Sequence, residues 1–183
     1  MKINSKVFVA ALLVLFTFSC KNEPNKNTSS SADIIDKTKG QAFVKDDESR
    51  PTVLHIAIGS EDHSTLVAAV QAADLENALV NAGPLMVFAP TNDAFAQLPA
   101  GTVEKLLKPE NKEQLAFILK HHVTPGNYSK DFLKKFKKLG QASNESIPVE
   151  VKGDDVYVGG AKILASISAG NGIVHVVDKV ILP

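Results

Sequence analysis

A single cysteine, Cys20, in a chain of 183 residues sets the terms on which this protein can fold. No intrachain disulfide is possible, so a stable domain must come from a hydrophobic core. The segment 50–183 is long enough to build one, close to the usual single-domain size. Apolar periodicity along that segment changes character halfway. In the first half, Val53, Leu54, Ala57 and Ile58 share one face at helical spacing, between Pro51 (suited to a first helical position) and Gly59 (suited to a terminus). Leu66, Val70 and Ala73 repeat the pattern. Asp74 is placed to cap a short helix that carries Leu75 and Leu79 and ends near Gly83. Leu85 to Ala89 reads as a buried strand, and further helices are expected at about 92–97, 102–107, 111–120 and 129–136.

The second half switches to strand spacing. Ile147, Val149 and Val151 alternate with Pro148, Glu150 and Lys152. Gly153-Asp154-Asp155 turns the chain into Val156 to Val158, and Gly159-Gly160 turns it into Lys162 to Ser168. Ala169-Gly170-Asn171-Gly172 is a hairpin signal before a last strand, Ile173 to Leu182. A helical N-terminal half packed against a strand-rich C-terminal half makes the fold class α+β. Strand 85–89 must then join the later sheet, a non-local pairing.

Cys20 also closes a signal-like start. Lys2 and Lys6 precede an apolar run, Val7 to Phe18, of 12 residues, and Ser19 separates it from the cysteine. A bilayer-spanning helix needs about 20 apolar residues, whereas this run suits the apolar part of a secretory signal. A cysteine directly after it resembles a bacterial lipoprotein processing site. That resemblance implies a signal peptide over 1–19, cleavage before Cys20, and lipid on the Cys20 thiol and the new amino terminus. The competing reading is an ordinary signal peptide cut elsewhere, leaving a free thiol. Residues 20–49 read as the lipidated cysteine and a flexible tether, polar at 21–31 and mixed thereafter. Lys21 follows the cysteine in place of the aspartate that retains lipoproteins at the inner membrane. The expected location is therefore the bacterial cell envelope, at the outer rather than the inner membrane, periplasmic or surface-facing.

Removing residues 1–19 leaves 18 basic and 20 acidic residues, a formal net charge of −2. That balance argues against nucleic acid as a partner. The one basic cluster is Lys134-Lys135-Phe136-Lys137-Lys138. It reads either as a solvated helix end or as a contact for anionic envelope polymer or lipid headgroups.

Two stretches are more specific than any periodicity. One is Val87-Phe88-Ala89-Pro90-Thr91-Asn92-Asp93-Ala94-Phe95, followed by Leu98-Pro99; the other is Asn171-Gly172-Ile173-Val174-His175-Val176-Val177-Asp178-Lys179-Val180-Ile181-Leu182-Pro183. Together they resemble the two signature boxes of the fasciclin domain. His121-His122-Val123-Thr124-Pro125-Gly126 resembles that family's central Tyr-His segment, with histidine in place of the tyrosine. Thr52-Val53-Leu54 and Leu66-Val67-Ala68-Ala69-Val70 fit its first helices. The resemblance spans 50–183. It implies an extracellular or surface domain concerned with adhesion and matrix or polysaccharide contact, and it implies that His122 is a structural histidine bonded inside the domain.

The residues also support a local physical reading. Pro90 ends a strand, the Thr91 hydroxyl can cap a helix, Asp93 lies in the first turn where the helix dipole favours an anion, and Phe95 points to the core. His175 lies on the opposite face from Val174 and Val176, and Asp178 serves as a strand-end cap or as partner for a nearby donor. A zinc site at His121, His122 and His175 is disfavoured, because adjacent strand residues face opposite ways. His55 and His63 read as surface or helix-end residues. No GxSxG elbow, P-loop or HExxH occurs, and Ser64, Ser129, Ser143 and Ser166 have no activating local context. The expectation is a non-catalytic, cofactor-free, monomeric interaction module that binds protein or polysaccharide and is held to a membrane through Cys20. The alternative is a lipoprotein that binds a small ligand or lipid in an apolar cleft.

Overall fold

The computed structural model describes residues 50–183; the signal-like run, Cys20 and the tether fall outside the described residues. The helical half comprises α1 (Val53–Ile58), a 3-10 turn at Glu61–His63 that runs into α2 (Ser64–Ala72), and α3 (Glu76–Asn81). After β1 (Leu85–Pro90) come α4 (Asn92–Ala96), α5 (Thr102–Leu106) and α6 (Lys112–His121). The strand-rich half follows: β2 (Val123–Pro125), α7 (Lys130–Leu133), β3 (Lys138–Gly140), β4 (Ser146–Lys152), β5 (Asp155–Val158), β6 (Ala161–Ala169) and β7 (Gly172–Val177). The α+β class holds.

All seven strands form one sheet in the order β2-β1-β7-β6-β5-β4-β3. The strand expected to join the later sheet does so: β1 pairs parallel with β7, from Leu85 opposite Gly172 to Pro90 opposite Val177. A parallel pair covered on both faces should read as continuous apolar sequence rather than as alternation, and LMVFAP and GIVHVV do. Alternate residues serve different layers. Met86, Phe88, Ile173 and Val177 enter an inner cluster with Ile147, Val156, Val158, Ile163 and Ile181. Val87, Ala89 and Val174 face Val53, Leu54, Leu66, Val70 and Leu119 of the helices. The sheet curls until its two outer strands approach, and the Ala142 amide donates to the Val123 carbonyl at 2.7 Å.

Several expectations need correction. The last strand stops at Val177, not Leu182. The Asp178 carboxylate takes the Lys162 amide at 2.7 Å, which ends the ladder, and the Ile181 amide turns inward to His122. The helix expected at 129–136 spans only Lys130–Leu133, and Lys138 belongs to β3. Strands β2 and β3, three residues each, give no sequence signal. Pro51 precedes the true cap, Thr52, whose side chain accepts the His55 amide. Asp74 does not cap α3: it has a positive φ of 52°, it ion-pairs with Lys112, and Leu75 occupies the cap position without a side-chain bond. A register shift in β6 between Ile163 and Ala165 leaves Leu164 unpaired and exposed.

Candidate functional site

The first signature box is a strand-to-helix corner. β1 ends at Pro90, the Thr91 hydroxyl accepts the Ala94 amide at 3.2 Å, and α4 begins. Ala94 is buried and Phe95 packs half-buried against the helix-side cluster. Asp93 is exposed in the first turn of α4. Its neighbour Asn92 works at longer range: its Oδ1 accepts the Thr65 amide at 3.0 Å and its Nδ2 donates to the Glu61 carbonyl at 2.9 Å, capping α2 from outside.

In the second box Asn171 does more than turn the chain. Its Oδ1 accepts the Val53 amide at 2.9 Å, and its Nδ2 donates to the carbonyls of Leu79 at 2.7 Å and Ala82 at 3.0 Å. One side chain thus caps the start of α1 and the end of α3, fixing both helices to the β6–β7 hairpin. Gly172 is there because β1 passes so close: a Cβ would lie 1.8 Å from the Leu85 carbonyl oxygen. Asp178 accepts from Lys162, and its backbone carbonyl accepts from Gln97 at 3.0 Å.

The histidines do not converge. His121 and His122 end α6 rather than lying in a strand. The His121 Nδ1 faces the Ser143 hydroxyl at 3.0 Å and the Glu145 carboxylate at 3.3 Å. His122 is buried, bonded through Nδ1 to the Ile118 carbonyl and through Nε2 to the Ile181 amide, both at 2.9 Å. Because an amide can only donate, Nε2 accepts and the proton sits on Nδ1. Burial lowers its pKa to about 4, partly opposed by the Ile118 hydrogen bond. His175 is fully buried and stacks on Phe88 with ring centroids 5.8 Å apart. Its Nε2 meets the Tyr128 carbonyl at 2.9 Å, and its Nδ1 meets the Ser166 hydroxyl at 2.7 Å. Burial also holds its pKa below the ordinary histidine value. Ser166 has no activating neighbour in its own segment; the fold supplies His175 across the β6–β7 ladder. That serine–histidine pair stitches the hairpin to the loop before α7. No carboxylate bonds to it among the described residues. His63 sits at a helix end as expected but is buried, with Nδ1 on the Ser60 hydroxyl at 2.8 Å.

The lysine cluster lies beside an aromatic trio that sequence reading passed over. Tyr128 and Phe132 stack at 5.4 Å, and Phe136 completes the group at 5.1 Å from Tyr128 and 5.6 Å from Phe132. The signal was available, since the three fall at intervals of four residues. Tyr128 and Phe136 lean on the inner cluster, while Phe132 is 42% exposed. The Lys135 ammonium lies 4.9 Å from the Phe132 ring centre. Lys134 pairs with Asp131 at 2.9 Å. Lys135, Lys137 and Lys138 are exposed and take part in no ion pair among the described residues. Lys138 also places a charge on an outer strand, where charge discourages strand addition.

Between the helices and the β1–β7 pair lies an apolar cavity of about 230 Å³, bounded by residues including Leu54, Leu66, Leu79, Val87, Leu119 and Val174.

The Fasciclin domain profile matches residues 61–183. Protein sll1483 of Synechocystis sp. is 49% identical over 137 residues, covering 74% of this chain and 76% of that protein. The transforming growth factor-beta-induced protein ig-h3 of Sus scrofa is 37% identical over 133 residues, 72% of this chain but 19% of its own length. A solved FAS1 domain pair from the insect cell adhesion molecule fasciclin I matches with a TM-score of 0.51 at 18% identity, covering 67% of this chain and 46% of that chain. At that identity the likeness is one of fold. This chain belongs to the fasciclin domain family.

Proposed function

We propose that this chain is a non-catalytic adhesion module, displayed on a bacterial envelope by lipid on Cys20, which grips an anionic envelope polysaccharide through the corner formed by Tyr128, Phe132, Phe136 and Lys134, Lys135, Lys137 and Lys138. The observation that carries this reading is the exposed Phe132 ring with the Lys135 ammonium above it, followed in sequence by Lys137 and Lys138, both exposed and in no ion pair among the described residues. Lysines act on sulfate, phosphate or carboxylate groups as mobile point charges. A ring already held by two aromatic neighbours offers flat contact area with little entropy left to lose. Membership of a family with a solved relative in a cell adhesion molecule supports the class. The charge, length and position of the segment before Cys20 support the anchor, and Lys21 directly after the cysteine supports the outer-membrane placement.

The test is co-sedimentation of the full chain with a uronic-acid polysaccharide at low and high salt. Binding should weaken as salt rises and fall when Lys134, Lys135, Lys137 and Lys138 are all changed to Gln. Phe132→Ala should weaken it without altering the salt dependence. Unchanged binding in the quadruple variant would overturn the assignment of this face. Intact-mass analysis of native protein decides the anchor separately: it should begin at Cys20 and carry acyl groups, and a mature mass without them would remove it.

A further inference from the structure

The cavity beside the β1–β7 strands is larger than ordinary packing leaves. Protein interiors contain few voids above the size of one water, and a dry apolar cavity of about 150 Å³ already takes up benzene. Here the volume is about 230 Å³. The floor is Val87, Ala89 and Val174, all buried. The rim includes Ala78, Ala82 and Ala142, exposed positions whose side chains are too short to close the mouth. Of the two lining residues with titratable side chains, His122 offers a ligand nothing, because both ring nitrogens are already bonded. The other is Lys120, at the exposed end of α6. It is the one charged side chain in the lining, and it takes part in no ion pair among the described residues. A greasy recess with a single free cation at its solvent side selects for an amphipathic anion.

We propose that this cavity binds a monocarboxylic acid with an apolar body of about eight to ten carbons, a size scaled from the benzene-holding cavity. The hydrocarbon lies among the aliphatic side chains, and the carboxylate sits at the Lys120 ammonium. A two-chain lipid is several times too large for this volume, and a neutral hydrocarbon would leave Lys120 without a role. The site is independent of the aromatic–lysine corner, which is built on α7 and β3 rather than on the helices that line the cavity.

Isothermal titration of the full chain with hexanoate, octanoate and octan-1-ol tests the proposal. Affinity should rise about fourfold for each added methylene between hexanoate and octanoate. Lys120→Gln should weaken octanoate by up to about fivefold and leave octan-1-ol unchanged. Ala78→Trp, at an exposed position on the rim, should abolish binding of both while leaving the thermal melt in place. Lys135→Gln should change nothing; a drop there would put the anion on the other face and overturn the proposal. Affinity that ignores chain length, or that survives Ala78→Trp, would overturn it equally.

Discussion

The central strands β1 and β7 present two faces with opposite qualities. Toward the inner cluster, Met86, Phe88, Val156, Val158, Ala161 and Val177 are fully buried, and strands, Leu133 of α7 and Ile181 of the C-terminal segment close the interior. Toward the helices, the same two strands contribute smaller residues, Val87, Ala89 and Val174, to a layer that is only partly sealed. Side chains one position apart therefore serve different ends. One face is packed shut, and the other leaves space. The helices on the looser face are short. Caps reaching in from the signature boxes help to hold them, Asn92 for α2 and Asn171 for α1 and α3.

The largest expected effect strikes both faces at once. Gly172→Ala places a Cβ inside the Leu85 backbone and must separate β1 from β7. A loss of more than about 4 kcal/mol is expected, seen as absence of a cooperative urea transition. A sharper test substitutes each face in turn. Phe88→Ala should cost about 3–5 kcal/mol, whereas Leu79→Ala, half-buried on the cavity wall, should cost about 1–2 kcal/mol. Equal costs would dissolve the distinction between the faces. Acidification probes the link between them, because His122 belongs to the helical side and holds Ile181 of the inner cluster. Its folded pKa of about 4 lies below the unfolded value of 6.5. The unfolded chain therefore binds the extra proton first, and stability is full above pH 6.5 and falls as pH drops toward 4. The loss should approach about 3 kcal/mol. His63 and His175 shift in the same direction, so replacing His122 with Asn should flatten the profile in part, measured as the urea midpoint against pH. Asn171→Ala should cost about 2 kcal/mol and speed hydrogen exchange in α1 and α3 while leaving β4 and β5 protected. Uniform deprotection would show that the helical layer is not a separable unit.

Much of this was written locally. The corner from Leu85 to Phe95 needs only an apolar run, a proline and a capping threonine, all adjacent. The turn at Gly170-Asn171 is a two-residue signal. The overrun of the last strand has a simple origin: Val180, Ile181 and Leu182 are as strand-like as what precedes them, and the groups that draw the backbone away, the Asp178 carboxylate on the Lys162 amide and His122 on the Ile181 amide, are distant in sequence. Asn171 reads as a turn residue because its partners lie at the start of α1 and the end of α3, at separations from 89 to 118 residues. Ser166 and His175 are unremarkable until a ladder sets them opposite one another. The cavity had no signature at all, since it is a shortage of side-chain volume at Ala78, Ala82, Ala89 and Ala142, and alanine in a sequence does not say what fails to fill the space beside it.

The hydrogen bond from Ala142 to Val123 has a consequence for molecules held side by side. Where the first and last ribbons meet, that backbone is taken and offers a neighbour no rung on which to build. Among the described residues, the edges without a strand partner are elsewhere, on β4 beyond Val149 and on the β5 side of β6 beyond Lys162, so any strand added by a second copy would have to enter there.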